Sequence, residues 1–155
     1  MDLVPSIQRS WKGQSPMTTG IRGTTARRNA LQLVHYLRIA VNFNDAGIAA
    51  GVGKQVLPAG AVIIGTDVNI VTAFNAATTN VLTVGSAAGS NADIVAGADV
   101  TETAAGLTQN IKPTGAMLVP LAADTQVFAQ FTQTGAAATA GKAIIVIKYV
   151  PDNDL

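Results

Sequence analysis

Residues 56–86, VLPAGAVIIGTDVNIVTAFNAATTNVLTVGS, decide how the rest of the chain is read. Val62, Ile64, Thr66, Val68, Ile70, Thr72 and Phe74 fall on even positions, while Ile63, Gly65, Asp67, Asn69 and Val71 make a mixed odd series. β-branched residues repeating every second position place one face of an extended chain on a core, because successive side chains of a strand point to opposite sides. Pro58 and Gly60 make the turn that enters this strand, residues 75–80 are a polar connection, and residues 81–84 return as a second strand. The stretch is predicted to be a hairpin with its even positions buried. A lone hairpin is at best marginally stable, so other strands must cover it. Nothing in it looks like reaction chemistry.

Alternation recurs on either side. Over residues 33–44, Leu33, His35, Leu37, Ile39, Val41 and Phe43 share one face, with Arg38, Ala40, Asn42 and Asn44 opposite. Residues 54–57 form a short strand ended by Pro58. Residues 125–134 set Val127, Ala129 and Phe131 against Phe128 and Gln130. Residues 142–150, KAIIVIKYV, are almost continuously apolar, as in a strand covered on both faces. Residues 85–110 are ambiguous: Ile94, Val95 and Val100 suit a short strand, a helical turn or a loop over the core, and the length suits an excursion that works through contacts. Pro113-Thr-Gly-Ala-Met117 echoes Pro58-Ala-Gly-Ala-Val62; shared turn grammar is the simpler account, an internal duplication the other. Seven or eight strands with turn residues between them and no helical period give an all-β fold, an antiparallel β-sandwich or jelly roll with an extended N-terminal arm.

The arm, residues 1–30, is set apart from the domain, residues 31–155, by charge. Arg9, Lys12, Arg22, Arg27 and Arg28 stand against Asp2 alone, 5 − 1 = +4, whereas the rest of the chain has five basic and eight acidic residues, 5 − 8 = −3. Pro5, Gly13, Pro16, Gly20 and Gly23 interrupt any period, so the arm is read as ordered only by contact. Trp11, the single tryptophan, is its candidate anchor on a partner; the alternative is that it folds back on its own domain. Arg9, Trp11, Lys12, Arg22, Arg27 and Arg28 are the partner-binding candidates. Nucleic-acid binding is disfavoured, since the charges are spread and no aromatic residues interleave with them. Over the whole chain only 12% of residues are charged and 48% are hydrophobic, which suits a protein packed against others better than a free monomer. No signal-peptide pattern or membrane-length apolar run is present, and with no cysteine there are no disulfides.

No constellation for catalysis emerges, and no enzyme activity, cofactor or metal is expected. His35, the single histidine, lies on the apolar side of its strand and is read as a hydrogen-bonded core or interface residue. No serine sits in a nucleophile elbow. Asp93, Asp99 and Glu102 lack the dense spacing of a calcium loop. The glycines of residues 47–53 are not followed by the Gly-Lys-Ser/Thr of a phosphate loop. Asp67 and Asp124 are read as turn residues rather than the paired carboxylates of a glycosidase.

Three elements nonetheless carry a likeness: Pro58-x-Gly60-Ala61 before a long strand, Thr78-x-Asn80-x-Leu82-x-Val84-Gly85, and Thr139-Ala-Gly-Lys-Ala143 before a terminal strand through Tyr149. Over about residues 33–150 the chain resembles the decoration, or cement, proteins of tailed-bacteriophage heads. That resemblance implies a sandwich or jelly roll that sits as a homo-oligomer, a dimer or trimer, on the capsid surface and bridges subunits of the major capsid protein. It also implies location in the virion, after assembly in the host cytoplasm, with no membrane. The rival is a carbohydrate- or receptor-binding β-module of a phage fibre or tail. Sugar sites usually expose aromatic side chains, and here aromatics are 5%, with only Trp11 and Tyr36 plausible outside a core.

Overall fold

The computed structural model describes residues 33–89 and 92–152. The division between arm and domain, and every partner-binding candidate in the arm, lie outside these residues. Seven strands are formed: β1 (His35–Asn42), β2 (Val52–Leu57), β3 (Val62–Thr72), β4 (Thr79–Gly85), β5 (Gly106–Ile111), β6 (Thr125–Thr134) and β7 (Lys142–Val150). Two short 3₁₀ turns, Ile48–Ala50 and Gly115–Leu118, complete the regular structure.

The strands make two antiparallel sheets, one in the order β1-β7-β3-β5 and the other β2-β6-β4. The chain changes sheet at every step from β1 to β7. The pairings are nested: β1 with β7, β2 with β6, β3 with β5. This is the geometry of one long hairpin rolled over on itself, and it places residues distant in sequence side by side in a common core.

The strands foreseen over residues 33–44, 54–57, 125–134 and 142–150 are present, and their inward sets agree with the alternation except at Leu33, which precedes β1 and is 54% exposed. Leu37, Ile39 and Val41 are buried from β1, Val127, Ala129 and Phe131 from β6, and Ala143, Ile145 and Ile147 from β7. Three expectations need correction. The predicted hairpin of residues 62–84 is an arch, because β3 and β4 belong to different sheets and never pair. The even-numbered buried face begins only at Thr66: Ile63 is buried and Ile64 is half exposed. The cause is a bulge, since Ile63 opposes Tyr149 and Gly65 opposes Lys148, leaving Ile64 as the extra residue that reverses the phase. Finally, β7 is buried on one face only; Ile144 and Val146 on the other are partly covered.

Residues 86–89 and 92–105 prove to be loop segments, the second laid over the free edge of β4, and the β5 strand that follows was not foreseen. Val84 and Val95 exchange backbone hydrogen bonds of 3.0 and 2.9 Å. The second segment's own Ile94, Val95 and Val100 are buried. Glu102, a buried carboxylate, accepts the Leu82 N–H at 2.8 Å through Oε1, while its main-chain oxygen accepts the Phe74 N–H at 2.9 Å. An exposed strand edge offers unpaired backbone groups to any passing chain, and here the protein occupies them itself.

Phe74 and Phe131 meet in the core with ring centroids 4.4 Å apart. Gly141 lies flat against the Phe74 ring, and a Cβ at this position would occupy the ring's own space. The two Pro-x-Gly-Ala segments share a positive φ, +75° at Gly60 and +57° at Gly115, then diverge. The first feeds β3, whereas the second closes a 3₁₀ turn that buries Met117. Shared turn grammar, not a duplicated hairpin, accounts for the echo.

Candidate assembly surface

The described acidic residues are engaged separately. Asp67 Oδ1 accepts the Asn110 N–H at 2.9 Å and Lys148 Nζ at 3.0 Å, and Lys148 Nζ also donates to Asn110 Oδ1 at 2.9 Å. The Asn110 N–H lowers the Asp67 carboxyl most; burial opposes it, and the bond and charge of Lys148 add to the lowering, so the group stays below its usual range. Asn110 is the one non-glycine residue with positive φ among those described, at +60°, and this triad fixes it at a break in the β3–β5 register. Burial raises the Asp45 carboxyl, but hydrogen bonds from Lys54 and Asn42 outweigh it and leave the group below its usual range.

Asp124 Oδ1 accepts the Ala59 N–H at 2.8 Å, closing the turn before β3. Asp93 accepts the Ser86 hydroxyl and N–H, and Asp99 the Ala96 N–H. Asp93, Asp99 and Glu102 thus anchor three separate stretches of backbone; Asp124 serves a turn as expected, but Asp67 lies within β3 and holds the register break of β5 rather than a turn. Among the described residues no three His, Cys, Asp or Glu side chains gather as a metal site. His35 lies half-buried against Tyr149, with ring centroids 5.7 Å apart. Its expected hydrogen bond is not found: Nε2 is buried without a partner among the described residues.

What the fold does gather is apolar surface. Nine large hydrophobic residues are exposed among those described. Val71 and Leu107 lie toward the far end of β3 and on β5, and the other seven lie at one end of the sandwich. Leu33, Val34 and Tyr36 mark the entrance to β1, and Tyr36, 65% exposed, opposes Lys148. Across the same sheet Lys148 opposes Gly65, beside the bulged Ile64. Val56, at the close of β2, precedes the turn to β3. Leu118 and Val119 reach this end because Gly60 N–H bonds to Leu121 O at 2.7 Å and Leu121 N–H to Ala61 O at 3.0 Å. The first described residue, Leu33, lies at this end too.

Of these seven residues the sequence singled out Tyr36 alone. Leu118 and Val119 carry a usable signal, an apolar pair stopped by Pro120 that leads into no strand.

No protein-family model matches the chain, and no curated protein matches it. Solved structures do. A chain of the cyanophage Pam1 capsid asymmetric unit aligns with a TM-score of 0.62 at 19% identity, covering 88% of this chain and 99% of that one. A chain of the capsid of Ralstonia phage GP4 aligns at 0.57 and 18% identity, covering 83% and 90%. A chain of the acidic stable capsid of Helicobacter pylori bacteriophage KHP30 aligns at 0.53 and 17%, covering 76% and 86%. This chain therefore shares its fold with chains of three phage capsids.

Proposed function

We propose that this protein is a structural component of a bacteriophage head, and that it decorates and cements the shell by bridging neighbouring subunits of the major capsid protein. The observation that carries the reading is the extent of the Pam1 match: 99% of that capsid chain is covered. The matched chain is thus little more than this sandwich, which fits an accessory subunit laid on a shell. The nested strand pairing supports reading the sandwich as a jelly roll whose eighth position is held only by the Val84–Val95 bridge.

Cementing works by burying surface across subunit boundaries, with stable contacts of this kind covering roughly 1,200–2,000 Å² in total. The low charge of the domain favours such burial, and the +4 of residues 1–30 gives the chain a basic segment for a partner of opposite sign. Contacts repeated over a lattice add through effective concentration even when each is weak. The test is rebinding of purified protein to particles stripped of it. Trp11→Ala and removal of residues 1–30 should weaken rebinding while the thermal transition of the domain is kept. Rebinding as tight as that of the full chain would remove the arm from the mechanism, and no rebinding of the full chain would remove the cementing role.

A further inference from the structure

We infer that the outer face of the β1-β7-β3-β5 sheet is the docking face of the domain, and that its occupant is a carboxylate-bearing surface of another protein, the shell subunit. The partner's identity rests on the structural role proposed above; the choice of face rests on how charge is divided between the two sheets. Among the described residues two ion pairs form, Lys54 with Asp45 and Lys148 with Asp67. Arg38, Lys112 and Lys142 are exposed and belong to neither. All three lie on the larger sheet or directly follow it: Arg38 on β1, Lys142 on β7 and Lys112 just after β5. Leu37, Ile39 and Ala143 point into the core, so Arg38 and Lys142 project from the outer face. Asp67 is the one carboxylate within these four strands, and Lys148 neutralises it. The other carboxylates lie elsewhere. Asp93, Asp99 and Glu102 belong to the segment along β4, Asp124 precedes β6, and Asp45 is held by Lys54 of β2. Asp152 lies beyond the end of β7, against Gly60.

Between these cations the face is apolar. Val146 opposes Arg38 and Ile144 opposes Ala40, both only partly covered, and Leu107, 58% exposed, opposes Asn69 toward the other edge. In register Lys142 lies four residues from the partner of Arg38, roughly 13 Å along the strand. Cations with no internal partner, set around aliphatic side chains, are complementary to carboxylates set around an apolar centre. The same observations count against other occupants. Two copies meeting through this face would oppose cation to cation, and the segment of residues 1–30, with its +4, is repelled in the same way. A nucleic acid would call for denser cations and stacking aromatics, where this face has aliphatic residues.

The test is titration of the full chain onto particles stripped of it, at low and high salt. Arg38→Glu combined with Lys142→Glu should raise the dissociation constant roughly tenfold or more and reduce its salt dependence. Thr132→Glu, on the outer face of β6 opposite Val81, should leave it within about twofold. Arg38→Ala with Lys142→Ala, a milder pair, should shift it in the same direction and decides the question if the charge-reversed pair fails to fold. The chain has no cysteine, so Ala40→Cys, exposed on β1, supplies a single thiol on this face. Its labelling by a maleimide should slow several-fold once the protein is bound to the particle.

Undiminished binding by the Arg38 and Lys142 variants overturns the inference and leaves the structural role standing. So does an Ala40→Cys thiol as reactive on the particle as in free solution, or a loss of binding caused by Thr132→Glu alone. Self-association of the free chain that the Arg38→Glu, Lys142→Glu pair abolishes would assign the face to a second copy, and retention on duplex DNA abolished by the same pair would assign it to nucleic acid; either overturns the inference. No rebinding of the unaltered chain removes the structural role, and the inference with it.

Discussion

Two margins of the sandwich are finished in opposite ways. Along β4 the free backbone is sealed by residues 92–105, which pair Val95 with Val84 and insert Glu102 against Leu82. At the end where β1 begins, Tyr36, Leu118 and Val119 stay open among the described residues. The first margin presents hydrogen-bonding groups that any strand could capture, so leaving it bare would favour indiscriminate pairing. The second presents apolar side chains. The margin closed within the chain serves folding, and the margin left open is the one that the proposed structural role would draw on.

The comparison breaks most severely if the core beneath both margins is opened. Phe74→Ala should cost about 3–5 kcal/mol, read as a loss of denaturation midpoint, because it removes the ring packed on Phe131 and leaves a cavity. A smaller loss would mean that the arch from β3 to β4 repacks easily.

The sealed margin is tested by Glu102→Ala, which leaves the Leu82 N–H without its acceptor and should cost about 1–3 kcal/mol. Glu102→Gln keeps an acceptor and should restore most of that stability. Equal losses for the two would show that the carboxylate's hydrogen bond does not hold the loop. By contrast, Leu118→Lys at the open margin should move the unfolding free energy by no more than about 0.5 kcal/mol, as surface changes do.

Smaller effects sharpen the picture. Thr66 is buried on β3 with no partner for its Oγ1 among the described residues, so Thr66→Val should be neutral or stabilise by about 1 kcal/mol. A loss above that would reveal a bond for the hydroxyl. Asp67 has a folded-state pKa below its unfolded value. Its contribution is therefore complete above the unfolded value, about 3.9, and is lost as pH falls through the lower folded value. Asp67→Asn should remove up to about 1 kcal/mol at neutral pH and flatten the acid limb of the stability curve. An unchanged acid limb would mean that the Asp67–Lys148 pair contributes nothing.

The strands were legible where burial alternates without interruption. β1 pairs with β7 in steady register, and the bulges in the β2–β6 and β3–β7 pairings fall on β2 and β3, so Leu37, Val127 and Ile145 announce the inward faces of β1, β6 and β7. β3 was half legible, because a bulge at Ile64 exchanges its faces and no local residue pattern forces one there. The arch was illegible for a related reason. Whether two successive strands pair or cross depends on the sheet partners β7 and β6, which lie more than 40 residues away in sequence. β5, GLTQNI, has a single buried residue, Ile111, and so lacks an alternation to read. The open margin was legible only through Tyr36, since it is assembled from four separated stretches that the nested pairing brings together.

The most direct test of the structural role is the copy number of this protein in gradient-purified particles, measured against the major shell protein. A ratio near one, or a simple fraction of one, is expected for a subunit that cements the lattice. A handful of copies per particle would point to a fibre or tail part, and absence from the particle would contradict the role altogether.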